Sequence, residues 1–445
     1  MRAALALACV SVVAMPCFVQ AQTPAKQAQA EVRMLAEGMV SKPVSGYDAV
    51  ALLAAWHETA DGRYFKAVQD AVERGQAPLE AAVVVDEVLA TKKYNDALAE
   101  LQKQPKPMVK MSADAHMAHL VDLLERTPED AAARKELNDL AKTADPLDAL
   151  RVYALAKGAR LGFLPASDEA RAVKLWAKVP MSAPASARLL AATEIAQSET
   201  ALSARGKRVA VDAWFNSQTR TGLDGKTELF HYKWDDQRNS GFSFFGRAFQ
   251  REGAKLETIA AAPTAANLKG VSVYVIASPD IPSKNPNPHY MDKSSGDAIE
   301  AWVKAGGVLL LMQNDKTNAE FEKFNTLADR FGVHFNPVLR NTVEGHHYEQ
   351  GRVEIPAGTG GIFPAAIQAY MKEICTIAPS GPGKAVLTDK GDVLMAVAHV
   401  GKGTVYAVVD PWLYNEYTDG QKLPPEYPNF TAAKDLAKWA LEQAR

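Results

Sequence analysis

The stretch Val271-Ser272-Val273-Tyr274-Val275-Ile276-Ala277, followed later by Gly307-Val308-Leu309-Leu310-Leu311-Met312, decides the fold. Each is a short, nearly unbroken run of β-branched, aromatic and aliphatic residues. A strand apolar on both faces belongs in a sheet covered on both faces, which is the signature of parallel βαβ units. A helical pattern over 297–305 separates the two runs. Outward from this pair, Arg208-Val209-Ala210-Val211-Asp212 and 255–259 read as further strands, and 393–399 with 404–409 as a hairpin around Gly401-Lys402-Gly403. Helical patterns occupy 242–252, 319–331 and 431–443. This alternation predicts a doubly wound, mostly parallel α/β domain over 205–445, of the flavodoxin or class I amidotransferase type.

Residues 22–200 follow a different pattern. They are Ala-rich, with apolar residues at three-to-four spacing in Tyr47-Asp48-Ala49-Val50-Ala51-Leu52-Leu53-Ala54-Ala55-Trp56 and over 147–161. Breaks at Asp61-Gly62 and Leu164-Pro165 separate helical hairpins. The expectation is an all-α domain followed by the α/β domain. Ahead of both, Met1-Arg2, an uncharged apolar run over 3–14 and Val19-Gln20-Ala21 read as a secretory signal over 1–21, cleaved after Ala21. The expected location is therefore the periplasm or the cell exterior. No later apolar run has the ~20 residues a membrane span needs.

Composition narrows the partners. Among 445 residues, 50 Lys and Arg stand against 52 Asp and Glu, with no basic block. Such a chain is not built to neutralise phosphates, so nucleic acid is not an expected partner. Cys375 is the one cysteine beyond the signal and lies in an alternating, strand-like stretch, where it reads as a small core residue. His346-His347 are adjacent and His116 and His119 lie three apart, with no ligand spacing that would hold a metal. Neither a metal nor any other cofactor is expected.

In open parallel sheets ligands bind beyond the carboxyl ends of the strands. Those ends are polar here: Asp212; Ser278-Pro279-Asp280; Gln313-Asn314-Asp315; and Asp410-Pro411-Trp412. Nearby loops add His231, Trp234, Asp235, Asp236 and Asn239, then Asn285 and Asn287, then Asn415 and Glu416. Rings that cover C–H faces, with carboxylates and amides that meet hydroxyls, suit a sugar. The same residue types also form turns and helix caps, which is the structural alternative for each. An amidotransferase nucleophile is missing, since Met312-Gln313-Asn314-Asp315 holds no Cys or Ser.

Several strings resemble one family. His231-Tyr232-Lys233-Trp234-Asp235-Asp236, Asn239-Ser240-Gly241-Phe242-Ser243, Asn285-Pro286-Asn287-Pro288, Trp302-Val303-Lys304-Ala305-Gly306-Gly307-Val308 and Tyr414-Asn415-Glu416-Tyr417 resemble the accessory domain of secreted unsaturated rhamnogalacturonyl hydrolases. These form the glycoside hydrolase 88/105 group. The resemblance implies an amidotransferase-like fold for 205–445, a role in pectin breakdown and an oligosaccharide partner. It also implies an (α/α)6 toroid in the first half, shortened in this chain. A twelve-helix ring needs roughly 200 residues or more, and 22–200 offers 179. The family's catalytic acid lies in an Asp-Asp segment. None occurs over 30–200, where Asp86 in Val84-Val85-Asp86-Glu87 is the nearest candidate. The expected fold is thus an incomplete (α/α) toroid-like helical domain before a doubly wound α/β domain. The expected function is oligosaccharide binding by a non-catalytic member, with an active hydrolase of unsaturated uronyl oligosaccharides as the alternative.

Overall fold

The structure is a computed structural model that describes residues 23–91, 131–142, 149–198 and 204–444. The signal read over 1–21 and the pair His116 and His119 lie outside these residues. Among the described residues the first half holds eight helices and no strand: α1 Pro24–Val40, α2 Asp48–Thr59, α3 Gly62–Glu73, α4 Leu79–Leu89, α5 Ala131–Ala141, α6 Ala149–Arg160, α7 Ser167–Trp176 and α8 Ala185–Ile195. Their limits follow local chemistry. Pro24 opens α1 behind Thr23, whose hydroxyl accepts the Lys26 N–H, and the Asp61 carboxylate accepts the Arg63 N–H to start α3. On α3 the stripe Tyr64, Phe65, Val68, Ala71 and Val72 is buried, at helical spacing.

From residue 208 the chain builds a nine-stranded sheet with two small ribbons. The strands are β1 Arg208–Asp212, β2 Thr219–Thr221, β3 Thr227–Leu229, β4 Lys255–Ile259, β5 Val273–Ala277, β6 Val308–Met312, β7 Val333–Arg340, β8 Arg352–Ile355, β9 Ile367–Tyr370, β10 Ile374–Pro379, β11 Gly383–Asp389, β12 Asp392–Val400 and β13 Gly403–Val408. The large sheet runs β4-β1-β5-β6-β13-β12-β10-β7, with β11 on β12, while β2 pairs β3 and β8 pairs β9. The five strands from β4 to β13 are parallel, and every residue of β5, β6 and β13 is buried. Helices α9 Ser243–Arg251, α10 Lys293–Lys304, α11 Glu322–Ala328 and α12 Asn429–Gln443 accompany them.

The expected mostly parallel sheet needs correction. Four of its eight strand pairings are antiparallel: β13 with β12, β12 with β10, β12 with β11 and β10 with β7. The arm turns at tight hairpins. At Lys390-Gly391 both residues have positive φ, which suits a two-residue hairpin turn, and Gly401 does the same before Lys402.

The two halves share one continuous core. The Trp56 ring on α2 lies 4.9 Å from Phe244 on α9, and Phe244 lies 5.3 Å from Phe430 on α12. The Trp56 indole N–H donates to the Asp419 carbonyl at 2.7 Å, and Arg251 pairs with Glu58. The backbones meet at Gly420, whose φ is +74°; a Cβ there would overlap the Ala60 carbonyl. Gly420→Ala combines left-handed strain with that clash. It is expected to lower stability by about 2 kcal/mol or more, read as a fall in the denaturant midpoint.

Candidate functional site

The order β4-β1-β5-β6-β13 is that of a doubly wound sheet whose direction of winding reverses between β1 and β5. A crevice opens beyond the carboxyl ends at this point, and a cavity of about 350 Å³ fills it. Its lining comes from the β1–β2 connection (Gln218), the loop after β3 (His231, Tyr232), the end of β5 (Ser278, Lys284), the end of β6 (Asn314, Asn318), the loop before β10 (Lys372, Glu373) and the segment after β13 (Trp412, Glu416).

Strain marks this place. Eight non-glycine residues have positive φ among the described residues, and four of them, His231, Tyr232, Ser278 and Glu373, line this cavity. Such backbone costs on the order of 1–3 kcal/mol per residue and persists only where the surroundings hold it. Here the holders are visible. Lys233, 1 % exposed, sends its ammonium to the Asn216 carbonyl at 2.9 Å, the Asn216 side-chain oxygen at 3.2 Å and the His231 carbonyl at 2.9 Å. Burial lowers the Lys233 pKa to about 8, against the pull of Asp212 and Asp280. From the other side the Asp236 carboxylate accepts the N–H of His231 and of Arg238, the Ser240 hydroxyl and the Arg220 guanidinium.

The carboxylates expected to meet a sugar instead shape loops. Asp212 accepts the N–H of Phe215 and Asn216 and the Tyr274 hydroxyl; burial pushes its pKa up. Asp280 accepts the Ser217 N–H and the Gln218 and Asn285 amides. Asp315 accepts the Thr317 N–H and hydroxyl and the Asn318 amide. Asp410 accepts the Trp412 N–H, and burial drives its pKa well above the carboxylate range. All four are at most 1 % exposed.

Of the residues singled out from sequence, His231, Asn314, Trp412 and Glu416 therefore line the cavity, and Asp212, Asp280, Asn285, Asp236 and Asp410 stand behind its wall. Asp315 orders the Thr317–Asn318 turn. Asn415 gives its amide to the Ser240 carbonyl and Asn239 gives its amide to Glu416. Asn287 is exposed, with its N–H on the Asn285 side chain. Trp234 is a core residue: its indole N–H meets the Glu257 carbonyl and its ring lies near Phe242, Phe245 and Phe249. Trp234 and Asp235 border a second, larger cleft of about 700 Å³ between the halves. Much of that cleft's charge is spent internally, in Arg251–Glu58, Lys157–Glu194 and Arg220–Glu228 pairs. Asp86 is 2 % exposed near the end of α4 and accepts the Thr91 hydroxyl, away from the strand ends.

Ser278 belongs to a strand end read from the sequence, whereas Gln218, Tyr232, Lys284, Asn318, Lys372 and Glu373 are lining residues that strand-end reasoning did not single out. Lys372 pairs with Glu373 and Glu416 with Lys422, whereas no ion pair engages Lys284 among the described residues. Among those residues no cluster of His, Cys, Asp and Glu could hold a metal ion, and no helix is long and apolar enough to cross a membrane. Cys375 is buried and its thiol is pushed well up by that burial.

The fold and cavity define an α/β protein with a ligand-sized crevice at its strand ends. No protein-family model matches the chain, and no curated relative does. Solved structures that resemble it include the N-terminal domain of mmIFT52, at 15 % identity and TM-score 0.37, covering 48 % of this chain and 92 % of that one. The exo-β-1,4-mannosidase Op5Man5 from Opitutaceae bacterium strain TAV5 has 15 % identity and TM-score 0.29, covering 51 % of this chain and 35 % of that one. A β-galactosidase from Rahnella sp. R3 has 13 % identity and TM-score 0.31, covering 62 % of this chain and 40 % of that one.

Burial, with Lys233 beside it, lowers the His231 pKa from 6.5 to about 4. Between those values an unfolded chain takes up a proton that the folded ring refuses. This group's contribution to stability is therefore whole above pH 6.5 and is lost as pH falls toward 4. Asp419 and Asp435, each pushed up to about 6 by burial, act with the opposite sign over part of that window. Subtracting the stability–pH curve of His231→Gln from that of the wild type isolates the imidazole. The wild type is expected to lose more stability between pH 6.5 and 4, and parallel curves would contradict this.

Proposed function

We propose that the chain is an exported, non-catalytic carbohydrate-binding protein whose strand-end cavity holds the uronyl end of a pectin-derived oligosaccharide. The observation that carries this reading is the lining itself. Three amides (Gln218, Asn314, Asn318), two hydroxyls (Tyr232, Ser278) and one indole (Trp412) surround a cavity whose other charges are paired, leaving Lys284 at its edge to meet one carboxylate. Neutral donors and acceptors beside an aromatic ring match sugar hydroxyls and C–H faces. A size of about 350 Å³ suits one or two sugar units better than a long chain. The resemblance to unsaturated rhamnogalacturonyl hydrolases supplies the glycan class, and the likeness of the helical half to an incomplete (α/α) toroid makes that half a support.

Absence of turnover is favoured because Asp212, Asp280 and Asp315 are occupied with donors from the protein itself. The second reading, an active glycoside hydrolase on unsaturated uronyl oligosaccharides, rests on Asp410. Its carboxyl is fully buried, and that burial raises its pKa well above the ordinary carboxylate value, the direction a general acid needs. Loss of the conjugated-uronate absorbance on mixing the purified protein with unsaturated digalacturonate would favour that second reading. Unchanged absorbance with measurable binding favours the first.

Calorimetric titration with the same disaccharide tests the site. Lys284→Ala, a change at an exposed side chain, is expected to weaken binding about tenfold, an effect near 1.4 kcal/mol. Trp412→Ala is expected to weaken it at least as much. Equal affinity for a neutral disaccharide would remove the uronyl part of the reading, and no heat with either sugar would remove the carbohydrate reading.

A further inference from the structure

The neutral imidazole of His231 can carry its proton on either ring nitrogen, and the surrounding hydrogen bonds decide which. Asp280 Oδ2 already receives the Ser217 N–H at 2.8 Å and the Asn285 amide at 2.8 Å, and Oδ1 receives the Gln218 side chain at 2.7 Å. A carboxylate group surrounded by donors takes a donor from Gln218 too, so the Gln218 NH2 must face Asp280. The Gln218 carbonyl oxygen is then turned the other way, and it lies 3.4 Å from His231 Nδ1. An amide oxygen accepts and never donates. His231 Nδ1 must therefore be the nitrogen that carries hydrogen.

The other nitrogen stands apart. Nδ1 makes the one side-chain hydrogen bond of this ring among the described residues, and Nε2 is not a sealed, unpartnered atom. The ring is held flat between Phe230 and Tyr232, with interplanar angles of 6° to each. Its backbone is pinned by Lys233 through the carbonyl and by Asp236 through the N–H. Position, ring plane and proton placement are thus all set before any ligand arrives.

We propose that Asp280 and Gln218 lock His231 as its Nδ1–H tautomer, so that Nε2 presents a fixed hydrogen-bond acceptor to a hydroxyl of the ligand in the strand-end cavity. The ligand class rests on the carbohydrate reading above; the tautomer does not. Gln218 and Asp280 act as positioning residues and His231 as a specificity-determining one. A ligand that covers this acceptor without a matching donor leaves it unpaired, so the site discriminates against such a ligand. Burial keeps the imidazole neutral, because the charged groups that face it, Lys233, Lys284, Asp236 and Glu416, carry both signs.

The test is proton-coupled nitrogen NMR on protein labelled at histidine nitrogens, with His231 assigned by comparison with His231→Gln. At pH 7 the expected pattern is a protonated Nδ1 and a bare Nε2 for His231. Gln218→Glu places a carboxylate beside Nδ1–H and is expected to raise the His231 titration midpoint by about one unit or more. Asp280→Asn releases Gln218 to reverse and is expected to give mixed tautomers, which serves if the first variant does not fold. A protonated Nε2 in the wild type overturns the proposal, as do unchanged spectra in both folded variants. Addition of unsaturated digalacturonate is expected to shift the Nε2 resonance. Binding that leaves Nε2 unmoved overturns the acceptor role, whereas absence of any binding counts against the carbohydrate reading and leaves the tautomer to be judged from the free protein.

Discussion

A single buried ammonium organises the strand-end region. Lys233 Nζ reaches two oxygens of Asn216, just past β1, and the carbonyl of His231, which lies across the crevice in a left-handed conformation. Taking an ammonium out of water is costly unless it is hydrogen-bonded and near opposite charge. Lys233 has three oxygen partners, with Asp212 and Asp280 in electrostatic range. The lowered pKa records the part of that cost which remains. What the arrangement secures is geometric: it ties the end of the first parallel strand to the loop that supplies His231 and Tyr232. Tyr232 in turn receives the Trp412 indole N–H at 3.1 Å and lies 3.5 Å from the Asn314 amide. One cation thereby reaches residues at the ends of three strands.

The parallel half of the sheet was legible because it obeys a simple rule. Val273–Ala277 and Val308–Met312 are apolar on both faces, and both are fully buried central strands. The hairpin around Gly401 was legible from its turn residues, and the 374–377 stretch around Cys375 from its alternation. The rest of the antiparallel arm was not. In β7 only Val333 and Phe335 are buried, while the remaining positions are exposed or half-buried. That strand owes its existence to pairing with β10, a partner 34 or more residues later in register. The ribbons β2–β3 and β8–β9 are three and four residues long per strand, too short to leave a period.

The site was legible in place but not in role. Aspartates at the ends of parallel strands mark the crevice, yet a carboxylate at a strand end is surrounded by the free N–H groups of the turn that follows. Asp212, Asp315 and Asp410 each satisfy such groups, which is the local competition that makes Asp frequent there, and Asp280 accepts the Ser217 N–H from the loop after β1. The lining falls to neighbours one to several residues onward and to loops that arrive from elsewhere, such as Lys372-Glu373 ahead of β10. Backbone strain at Tyr232, Ser278 and Glu373 has no signature in residue type, because none of the three is glycine, asparagine, aspartate or histidine.

The placement of the helical half separates support from recognition. Its Trp56 packs on α9 and near α12, on the side of the sheet where Phe244 and Phe430 meet. Among the described residues, those that line the strand-end cavity come from 218–416 and none from the helices before β1. Among the described residues a ligand in this crevice meets the α/β half, and the described helices connect to that half at Gly420 and Asp419. That joint follows closely after Trp412 and Glu416 in the chain, so the segment that closes one wall of the cavity is also the one clamped by the helical half. Loss of the clamp would loosen that wall first. Asp280, Gln218 and His231 are tied to β1, β5 and the Lys233 network and would stay in place.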